Sequence, residues 1–492
     1  MDIEELLGFA KRTGFFWPAA EIYGGTSGLF DYGHLGALMR RKFEDAWLKF
    51  FVYRNENYYP IEGSNILPEK PLIASGHASR FNDVIVGCSK CNSYYRADVL
   101  LNEMKIEVAE GASAAELGDV IKKNNVKCPK CKGALMDPKA FNMMIGVSLG
   151  PEKGELGYLR PETAQSVYLN FFREFNLLRK RLPIGLAIIG RAYRNEISPR
   201  QGLYRMRELT QAELQIFFDP DTFDPVENDK LLERKLNVVL YVDKKDRTIT
   251  GNELISSFNI PKFYAYHMCL IDYFYKEVLS IESGKMRFLE KGGDDKAFYN
   301  KVHMDIEINV ESWNGFKEVG GLHYRSDYDL TSHSKGSNMD LSVNMNGKKI
   351  MPNVLELSFG LDRNLWMLVD QSLVNDGDRS ILKIKQYLAP YAFAILPLQK
   401  DDNITKAARS IYENSRRIFN VYFDDSGSIG RRYARMDEVG TPFCITIDFN
   451  TVDSNSSEYN TVTIRERDTK KQERIKISDI QNYISERVQF GY

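Results

Sequence analysis

The sequence has almost no net charge, because its 66 Lys and Arg residues are balanced by 67 Asp and Glu residues. Because the chain has no overall positive charge to attract a polyanionic partner, such a partner must be bound by arginines that are clustered locally. The sequence also has no apolar run near the ~18 residues that a membrane helix needs. Its N-terminal MDIEELLGFAKRTGFFW lacks the basic-then-apolar order of a signal peptide. We therefore expect a cytoplasmic protein with no membrane partner.

Cysteine is scarce, but its spacing is informative. Four of the six cysteines form the pairs CSKC and CPKC, namely Cys88 with Cys91 and Cys128 with Cys131. Two CxxC pairs in a reducing compartment are typical of a tetrahedral structural zinc site with no open position for catalysis. Two unrelated surface turns, or a single redox CxxC, are the alternatives that the spacing leaves open.

Apolar residues make up 43% of the 492 residues and aromatic residues 12%, which is enough for two or three packed domains. Periodicity predicts amphipathic helices at 34–54 and 161–180, and a long β-hairpin from 183 to 218. Asn346-Gly347 predicts a two-residue hairpin turn. These patterns divide the chain into a main domain, two insertions and a C-terminal domain. The main domain is made of three segments, 1–87, 141–218 and 301–387. The insertions are 88–140 and 219–300, and the C-terminal α/β domain is 388–492.

One predicted hairpin is unusually charged. The stretch RAYRNEISPRQGLYRMRELTQAE, residues 191–213, contains five arginines and three glutamates. Side chains alternate along a strand, so its second arm should present a polar face that includes Arg205, Arg207, Gln211 and Glu213. A solvated surface hairpin explains this pattern, and so does a cleft that binds a polyanion and an amine. The residues alone leave both interpretations open.

A second stretch, MPNVLELSFGLDRNLWML, repeats the arrangement. Glu356 and Ser358 share one strand face, and Gly360 lets the chain turn into a helix with Arg363 in its first turn. The N-terminal turn of a helix usually contains acidic residues, so an arginine there is unusual. An anionic ligand that binds at this position would explain it. Together with Arg194, Arg363 could clamp a triphosphate from both ends by charge-assisted contacts. The chain has no GxxxxGK[ST] loop, which excludes the commonest ATP-binding fold.

Several stretches carry a family resemblance. YRNEISPRQGLYRMREL and NVLELSFGLDR resemble motifs 2 and 3 of class II aminoacyl-tRNA synthetases. IYGGTSGLFDYGHLG, SGHASRFND, YYRAD, YLRPETAQ and GSIGRRYARMDEVGTPFCITIDF resemble the dimeric archaeal/eukaryotic type of glycyl-tRNA synthetase. The resemblance implies a homodimer with an α+β fold. It implies an antiparallel-sheet catalytic domain, a zinc-ribbon-like insertion at 88–140 and a C-terminal α/β anticodon-binding domain.

The activity implied by this resemblance is that of a glycine–tRNA ligase. Such an enzyme joins glycine to ATP as glycyl-adenylate, releases pyrophosphate and passes glycine to the 3′ end of tRNA-Gly. The catalytic residues it implies are Arg194, Glu196 and Arg363. The ATP-binding residues it implies are Arg194, Asn195, Glu196, Arg205, Met206, Leu209, Glu318, Val319 and Arg363. The glycine-binding residues it implies are Arg96, Glu162, Glu213, Arg325, Glu356 and Ser358.

The resemblance also suggests metal and tRNA ligands. The four paired cysteines would hold structural Zn²⁺, and Asp340 is a candidate ligand for the Mg²⁺ that accompanies ATP. Arg431, Arg432 and Arg435, in a turn-to-helix stretch, are candidates for contacts with tRNA. The alternative is a packing helix in which these arginines pair with nearby acids, namely Asp424, Asp425, Asp437 and Glu438.

Two positions depart from the family pattern. Leu209 lies where a Phe usually stacks on adenine, and Leu357 replaces a proline between Glu356 and Ser358. Neither departure removes a charge, so we expect activity to be kept. Two other functions remain open: a synthetase for another small amino acid such as serine or alanine, and a non-catalytic scaffold or accessory protein. The clustered glutamates, which suit an amine without a side chain, favour glycine.

Overall fold

The computed structural model describes residues 1–491 apart from 110, 152–153, 198, 200, 225, 227–228, 294–298 and 378. Its strands, in chain order, are β1 (Phe16–Pro18), β2 (Phe30–Tyr32), β3 (Tyr58–Pro60), β4 (Ile66–Pro68), β5 (Asn82–Gly87), β6 (Tyr94–Arg96), β7 (Lys139–Asn142), β8 (Ile145–Leu149), β9 (Glu155–Leu159), β10 (Ile184–Tyr193), β11 (Glu208–Phe218), β12 (Lys235–Val239), β13 (Asp246–Thr250), β14 (Met286–Glu290), β15 (Val302–Val310), β16 (Gly315–Ser326), β17 (Val343–Met345), β18 (Lys348–Ile350), β19 (Asn353–Gly360), β20 (Leu373–Asp376), β21 (Arg379–Leu382), β22 (Phe393–Pro397), β23 (Val421–Phe423), β24 (Phe443–Ile447), β25 (Thr461–Glu466) and β26 (Gln472–Lys476). Its α-helices are α1 (Ile3–Thr13), α2 (His34–Leu48), α3 (Glu69–Ala74), α4 (His77–Arg80), α5 (Ala97–Glu103), α6 (Ala114–Lys123), α7 (Ala164–Leu177), α8 (Gly251–Phe258), α9 (Lys262–Tyr273), α10 (Tyr328–Ser337), α11 (Leu361–Ser372), α12 (Asp402–Ser415), α13 (Ile429–Glu438), α14 (Phe449–Val452) and α15 (Ile480–Val488).

A nine-stranded sheet forms the centre of the described structure, in the order β13-β12-β14-β15-β16-β19-β11-β10-β3. Its middle strands are antiparallel, as predicted, whereas β3 pairs in parallel with β10 and β14 pairs in parallel with β12. The predicted hairpin is formed by β10 and β11. However, β11 begins only at Glu208, so the strand alternation that we predicted from Arg205 onward begins later than expected.

The local predictions agree with the structure. The predicted helix at 34–54 is α2, which continues as a π-helical turn to Tyr53. The predicted helix at 161–180 contains α7, which buries Val167, Phe171 and Phe175 along one face. Asn346 and Gly347 join β17 to β18 with φ values of 51° and 81°. Positive φ at both positions is what a tight two-residue hairpin requires.

Different helices cover the two faces of the central sheet, because side chains alternate along each strand. Leu214 of β11 and Leu357 of β19 face an apolar core shared with α2, α9 and α11. Phe217 of β11 faces the other way and stacks on Phe171 of α7, with ring centroids 4.2 Å apart. Glu213 and Gln215 of β11, and Glu356 and Ser358 of β19, lie on this second face.

The two predicted insertions are built differently. The cysteine-containing segment belongs to a small sheet in the order β6-β5-β7, with α5 and α6 packed on it. This sheet extends beyond the predicted bounds of 88–140, because β5 precedes residue 88 and β7 ends at Asn142. The segment 219–300 adds strands β12, β13 and β14 to the edge of the central sheet and α9 to its core.

The C-terminal region has a five-stranded sheet in the order β23-β22-β24-β25-β26, with its own apolar core. Strands β23, β22 and β24 are parallel, whereas β25 is antiparallel to both of its neighbours, β24 and β26. The predicted α/β character is therefore confirmed. The buried Arg467 connects this region to the preceding segment by donating to the Ile384 carbonyl at 2.8 Å. Among the described residues, no helix has both the length and the apolar composition of a membrane span.

Candidate active site

Strand pairing brings the predicted polar residues onto one face of the central sheet. Glu213 of β11 lies opposite Ser358 of β19, and Gln215 lies opposite Glu356. On the other side of β19, His323 of β16 lies opposite Glu356. Two adjacent features result: an arginine-lined cavity and a cluster of buried carboxylates.

Arg194 and Arg363 line the same small cavity. Arg194 follows β10, whereas Arg363 lies in the first turn of α11. Other predicted ATP-binding residues also form the wall of this cavity, namely Glu196, Arg205, Met206, Leu209 and Glu318. The two arginines that come from different motifs therefore face a common space.

Arg363 is held in place by two residues. Its Nε donates to the Tyr204 carbonyl at 3.1 Å, and its Nη1 donates to the Glu318 carbonyl at 3.0 Å. Nη1 also lies 3.1 Å from the Glu318 carboxylate, and the guanidinium lies over the Tyr204 ring, 4.6 Å from its centroid. Burial raises the pKa of Glu318, but Arg363 outweighs burial, so the net effect is a lowered pKa and an ionised carboxylate.

Arg194 and Glu196 form another part of the wall. The Nε of Arg194 donates to the Pro161 carbonyl at 3.2 Å, and its guanidinium lies 5.4 Å from the centroid of the Phe81 ring. The Oε2 atom of Glu196 is buried and has no hydrogen-bond partner among the described residues. A buried, unpaired acceptor in a cavity wall is suited to a donor supplied by a ligand.

Arg207 does not take the position that strand alternation predicted. It precedes β11, and its side chain donates to the Glu196 carbonyl at 3.1 Å and to the Ser27 carbonyl at 2.9 Å. The expected shared face for Arg205 and Arg207 is therefore wrong, because the chain between Gly202 and Arg207 is not a strand. Arg207 instead connects the hairpin to the N-terminal loop.

Two predicted ATP-binding residues lie outside the cavity wall. The backbone N–H of Asn195 donates to the Met143 carbonyl at 2.7 Å, and its side chain does not line the cavity. Val319 is 0% exposed and packs in the apolar core, whereas its neighbour Gly320 lines the cavity. Strand alternation explains the second case, because residues next to each other on β16 face opposite sides.

Neither Arg96 nor Asp340 joins the glutamate cluster or lines the cavity, although Arg96 lies close enough to Glu196 of the cavity wall for their charges to interact. Arg96 pairs with Asp98 at 2.6 Å and lies 3.3 Å from Asp83. Asp340 is exposed beside the β17–β18 hairpin and pairs with Lys349. The prediction that Asp340 holds magnesium is therefore not supported by its position.

All three predicted glycine-binding carboxylates are buried next to the cavity. Glu162, Glu213 and Glu356 are 9%, 2% and 4% exposed. Ser358, in the cavity wall, donates to Glu213 Oε1 at 3.0 Å, and Thr163 donates to Glu213 Oε2 at 2.6 Å. One hydrogen bond therefore connects the cavity wall to the carboxylate cluster.

Arg325 lies among these carboxylates and is 1% exposed. It donates to Asp329 through Nε at 2.8 Å and Nη2 at 3.0 Å, and to Glu356 through Nη1 at 3.1 Å. It also lies 3.9 Å from Glu162, and its guanidinium lies 3.8 Å from the centroid of the Tyr299 ring. Because an arginine has five N–H groups, the hydrogen bonds within the described residues leave two for a ligand.

The three glutamates differ in their affinity for protons. Burial raises the pKa of Glu162, but His77 and Arg325 outweigh burial and bring that pKa far below its usual value. For Glu213, burial and the nearby Glu356 and Glu162 raise the pKa to about 8. Burial also raises the pKa of Glu356, despite Arg325. The carboxyl groups of the cluster thus outnumber Arg325, the buried arginine among them, and an ammonium group would supply further positive charge.

The structure confirms the predicted cluster of four cysteines. Their Sγ atoms all lie within 4.8 Å of one another, with Cys88 to Cys131 at 3.5 Å and Cys91 to Cys128 at 3.7 Å. Four sulfurs at about 2.3 Å from a tetrahedral zinc ion would be about 3.8 Å apart, so the spacing fits a closed metal site. The cysteines form no disulfide, and the Lys90 N–H donates to Cys88 Sγ at 3.4 Å. The cluster can therefore hold a metal ion.

The three arginines of α13 have different surroundings. Arg431 is exposed, and Arg435 pairs with the Asp424 carboxylate, with Nε at 3.0 Å. Arg432 is 2% exposed and is not available to tRNA in this structure. It donates to three backbone carbonyls, those of Pro397, Leu398 and Asp424. The packing alternative describes Arg435, which pairs with one of the acids expected, Asp424. Arg432 is also a packing residue, but its partners are backbone carbonyls instead of those acids.

Sequence reasoning missed the residues that hold the glutamates in place. Gln165 donates to Glu162 at 2.9 Å, and Tyr168 donates to Glu356 at 3.2 Å. Thr163 and His77 contact Glu213 and Glu162, respectively. His77, Thr163 and Gln165 belong to the stretches SGHASRFND and YLRPETAQ, but that membership does not identify the carboxylate that each side chain contacts. Tyr168 lies beyond both stretches and had no such signal.

Two family models match the chain. The tRNA synthetase class II core domain (G, H, P, S and T) matches residues 149–372, and the anticodon binding domain matches residues 392–487. A solved structure titled as the RNA binding domain of threonyl-tRNA synthetase from Cryptosporidium parvum Iowa II covers 98% of both chains with a TM-score of 0.61. At 16% identity, that likeness shows the fold alone.

Curated relatives match nearly the whole chain. The glycine–tRNA ligase of Pyrococcus furiosus is 36% identical over 99% of this chain and 99% of that protein. Those of Thermococcus sibiricus and Methanocaldococcus jannaschii are 35% and 34% identical, each over 99% of both chains. The chain therefore belongs to the glycine–tRNA ligase family of class II aminoacyl-tRNA synthetases.

Proposed function

We propose that the chain is a glycine–tRNA ligase that activates glycine with ATP and transfers it to the 3′ end of tRNA-Gly. The observation that supports this most is that Arg194 and Arg363 line one cavity, whose Ser358 also donates to Glu213 of the buried cluster. A site for a polyphosphate and a site for an ammonium group thus lie side by side. This is the arrangement that amino-acid activation requires.

In the first step, a carboxylate oxygen of glycine attacks the α-phosphorus of ATP, and pyrophosphate leaves. Negative charge develops on the phosphate oxygens, so guanidinium groups fixed beforehand lower the barrier. We assign Arg194 to the α-phosphate and Arg363 to the γ-phosphate. Arg363 is suited to this role because Tyr204 and Glu318 already hold it. Glu196 is suited to accept a hydrogen bond from the adenine amino group, since its Oε2 lacks a described partner.

Glycine can be recognised only through its ammonium and carboxylate groups, because it has no side chain. We assign the ammonium group to Glu162, Glu213 and Glu356, because, among the described residues, these three carboxyl groups share only one buried arginine, Arg325, which also pairs with Asp329. The two remaining N–H groups of Arg325 are suited to the glycine carboxylate. Larger amino acids would be excluded by lack of space rather than by lost attraction.

Two metal ions fit this proposal. Mg²⁺ prefers carboxylate and phosphate oxygens, and we assign it to Glu318, a carboxylate in the cavity wall, in place of Asp340. Zn²⁺ is the ion that four cysteine sulfurs select, and we assign it to the cluster of Cys88, Cys91, Cys128 and Cys131 as a structural ion. Metal analysis of protein purified without chelators should find zinc at one ion per chain.

We further propose that the enzyme works in the cytoplasm as a homodimer and binds tRNA through its C-terminal region. β3 is an edge strand of the central sheet, and an edge can pair with the same strand of a second copy. Light scattering coupled to size-exclusion chromatography tests the dimer. On α13, the exposed Arg431 and Arg435 are suited to phosphate contacts, although Arg435 would have to leave or share its pairing with Asp424.

Amino-acid-dependent ATP–pyrophosphate exchange tests the proposed activity. The purified protein should exchange pyrophosphate into ATP with glycine and not with alanine or serine. Exchange with one of those amino acids instead would favour a different specificity. No exchange with any amino acid would favour a non-catalytic scaffold. Charging of tRNA-Gly with labelled glycine then tests the second step.

A further inference from the structure

The segment SGHASRFND, residues 75–83, contacts both parts of the site. His77 begins α4 and is 6% exposed, and its Nε2 lies 3.3 Å from Glu162 Oε2. Phe81 follows the same helical turn, and its ring centroid lies 5.4 Å from the Arg194 guanidinium. The His77 and Phe81 rings also contact each other, with centroids 5.8 Å apart.

Ser75 fixes the orientation of the His77 ring. Its Oγ lies 2.8 Å from His77 Nδ1 and 3.3 Å from the Leu72 carbonyl, and Ser75 is 1% exposed. The ring therefore cannot turn Nε2 away from Glu162 without breaking a buried hydrogen bond. Because a carboxylate accepts but does not donate, the Nε2 atom that faces it must carry hydrogen.

His77 decides where one Glu162 oxygen points. Gln165 donates to Oε1 at 2.9 Å, and the Gln165 side chain is itself contacted by His333 at 2.8 Å. With Oε1 held by Gln165 and Oε2 held by His77, the carboxylate plane is fixed. Without His77, the carboxylate could turn toward Arg325, whose Nη2 lies 3.9 Å from Glu162 Oε1. Glu162 would then be neutralised within the protein instead of facing an ammonium group.

Phe81 acts on Arg194 in a different way. The Nε of Arg194 is already used by the Pro161 carbonyl, so the position of the guanidinium plane depends on what packs against it. An aromatic ring at 5.4 Å attracts a cation and restricts the rotamers of its side chain. A smaller aliphatic residue would provide neither effect.

We propose that His77 and Phe81 are positioning residues for two different substrates: His77 orients Glu162 for the glycine ammonium group, and Phe81 orients Arg194 for the α-phosphate of ATP. This inference rests on the proposed function. Neither residue touches a substrate, and their separate effects on the two substrates distinguish this role from general support of the fold.

Steady-state ATP–pyrophosphate exchange, with glycine and ATP varied separately, tests the proposal. His77→Leu should raise the KM for glycine about tenfold, the effect of losing a hydrogen bond to a charged group, and leave the KM for ATP unchanged. His77→Gln supplies an amide N–H and should recover most of the loss. Phe81→Leu should raise the KM for ATP about threefold and leave the KM for glycine unchanged. Ser79→Ala, at an exposed position of the same turn, is the matched control and should change neither KM.

Parallel rises of both KM values in either variant, or equal behaviour of His77→Leu and His77→Gln, would overturn the proposal. Thermal unfolding of each variant identifies those that lose their fold. If His77→Leu does not fold, Ser75→Ala replaces it and must raise the KM for glycine alone. If Phe81→Leu does not fold, Phe81→Tyr replaces it, and it must keep the wild-type KM for ATP. A wild type without glycine-dependent exchange overturns the proposed function itself, whereas an active wild type with unselective variants overturns only this inference.

Discussion

The buried carboxyl group of Glu213 should couple glycine binding to the release of a proton. Burial, together with Glu356 and Glu162, raises the pKa of Glu213 from an ordinary 4.5 to about 8. At pH 7 the group is therefore mostly protonated in the ligand-free protein. An ammonium group beside it favours the ionised form, so bound glycine should expel that proton.

The size of the effect follows from the pKa. Ionising a group whose pKa is about 8 costs about 1.4 kcal/mol at pH 7, because one pKa unit corresponds to that amount. In the ligand-free protein, Glu213 is ionised in roughly a tenth of the molecules at pH 7 and in half of them at pH 8. Because glycine binds the ionised form, its Kd should fall about fivefold between pH 7 and pH 8. Glu213→Gln carries no titratable group, so it should bind glycine more weakly and with no pH dependence over this interval.

Isothermal titration calorimetry in phosphate and in Tris measures the released proton, because these buffers differ in ionisation enthalpy. The wild type should release about one proton per glycine at pH 7 and about half a proton at pH 8, and Glu213→Gln should release none. A wild type that releases no proton at pH 7 would refute the reasoning. So would a Glu213→Gln variant that keeps the wild-type pH dependence, since another group would then titrate.

The remaining predictions concern stability, catalysis, the metal site and α13. Folding raises the pKa of Glu213, so the stabilisation that comes from its protonated form should be complete below pH 4.5 and be lost as the pH rises through about 8. The free energy of unfolding in urea, measured at several pH values, should therefore vary less with pH for Glu213→Gln than for the wild type. Arg363→Ala should lower kcat/KM for pyrophosphate exchange roughly 10- to 100-fold, the effect of a lost charge-assisted contact, and Arg363→Lys should recover only part. Cys88→Ser should bind less zinc in metal analysis and unfold at lower temperature, and undiminished zinc would exclude the four-sulfur site. Arg432→Ala should lower the free energy of unfolding by about 2 kcal/mol, because it leaves buried carbonyls without a donor, whereas Arg431→Ala should weaken tRNA binding in a filter assay and leave the Tm unchanged.

Local patterns in the sequence determined much of this site. Strand alternation alone predicted that Glu356 and Ser358 share a face, and the observed register places Ser358 opposite Glu213. The position of Arg363 in the first turn of a helix followed from the end of a strand at Gly360. The spacing of two CxxC pairs predicted a cluster of four sulfurs. The first two features depend on geometry within a few residues, and the third depends on a spacing of cysteines that is characteristic of metal sites.

The tertiary structure alone decided which distant segments meet. His77 contacts Glu162, and Phe81 contacts Arg194, across different parts of the chain. Arg432 is surrounded by backbone carbonyls, and Arg207 turns toward an N-terminal loop. The periodicity of a strand or helix indicates on which side of the element a residue lies, but not what packs against that side. That second fact depends on the paths of the loops and on the packing of the whole core, which no local stretch of sequence contains.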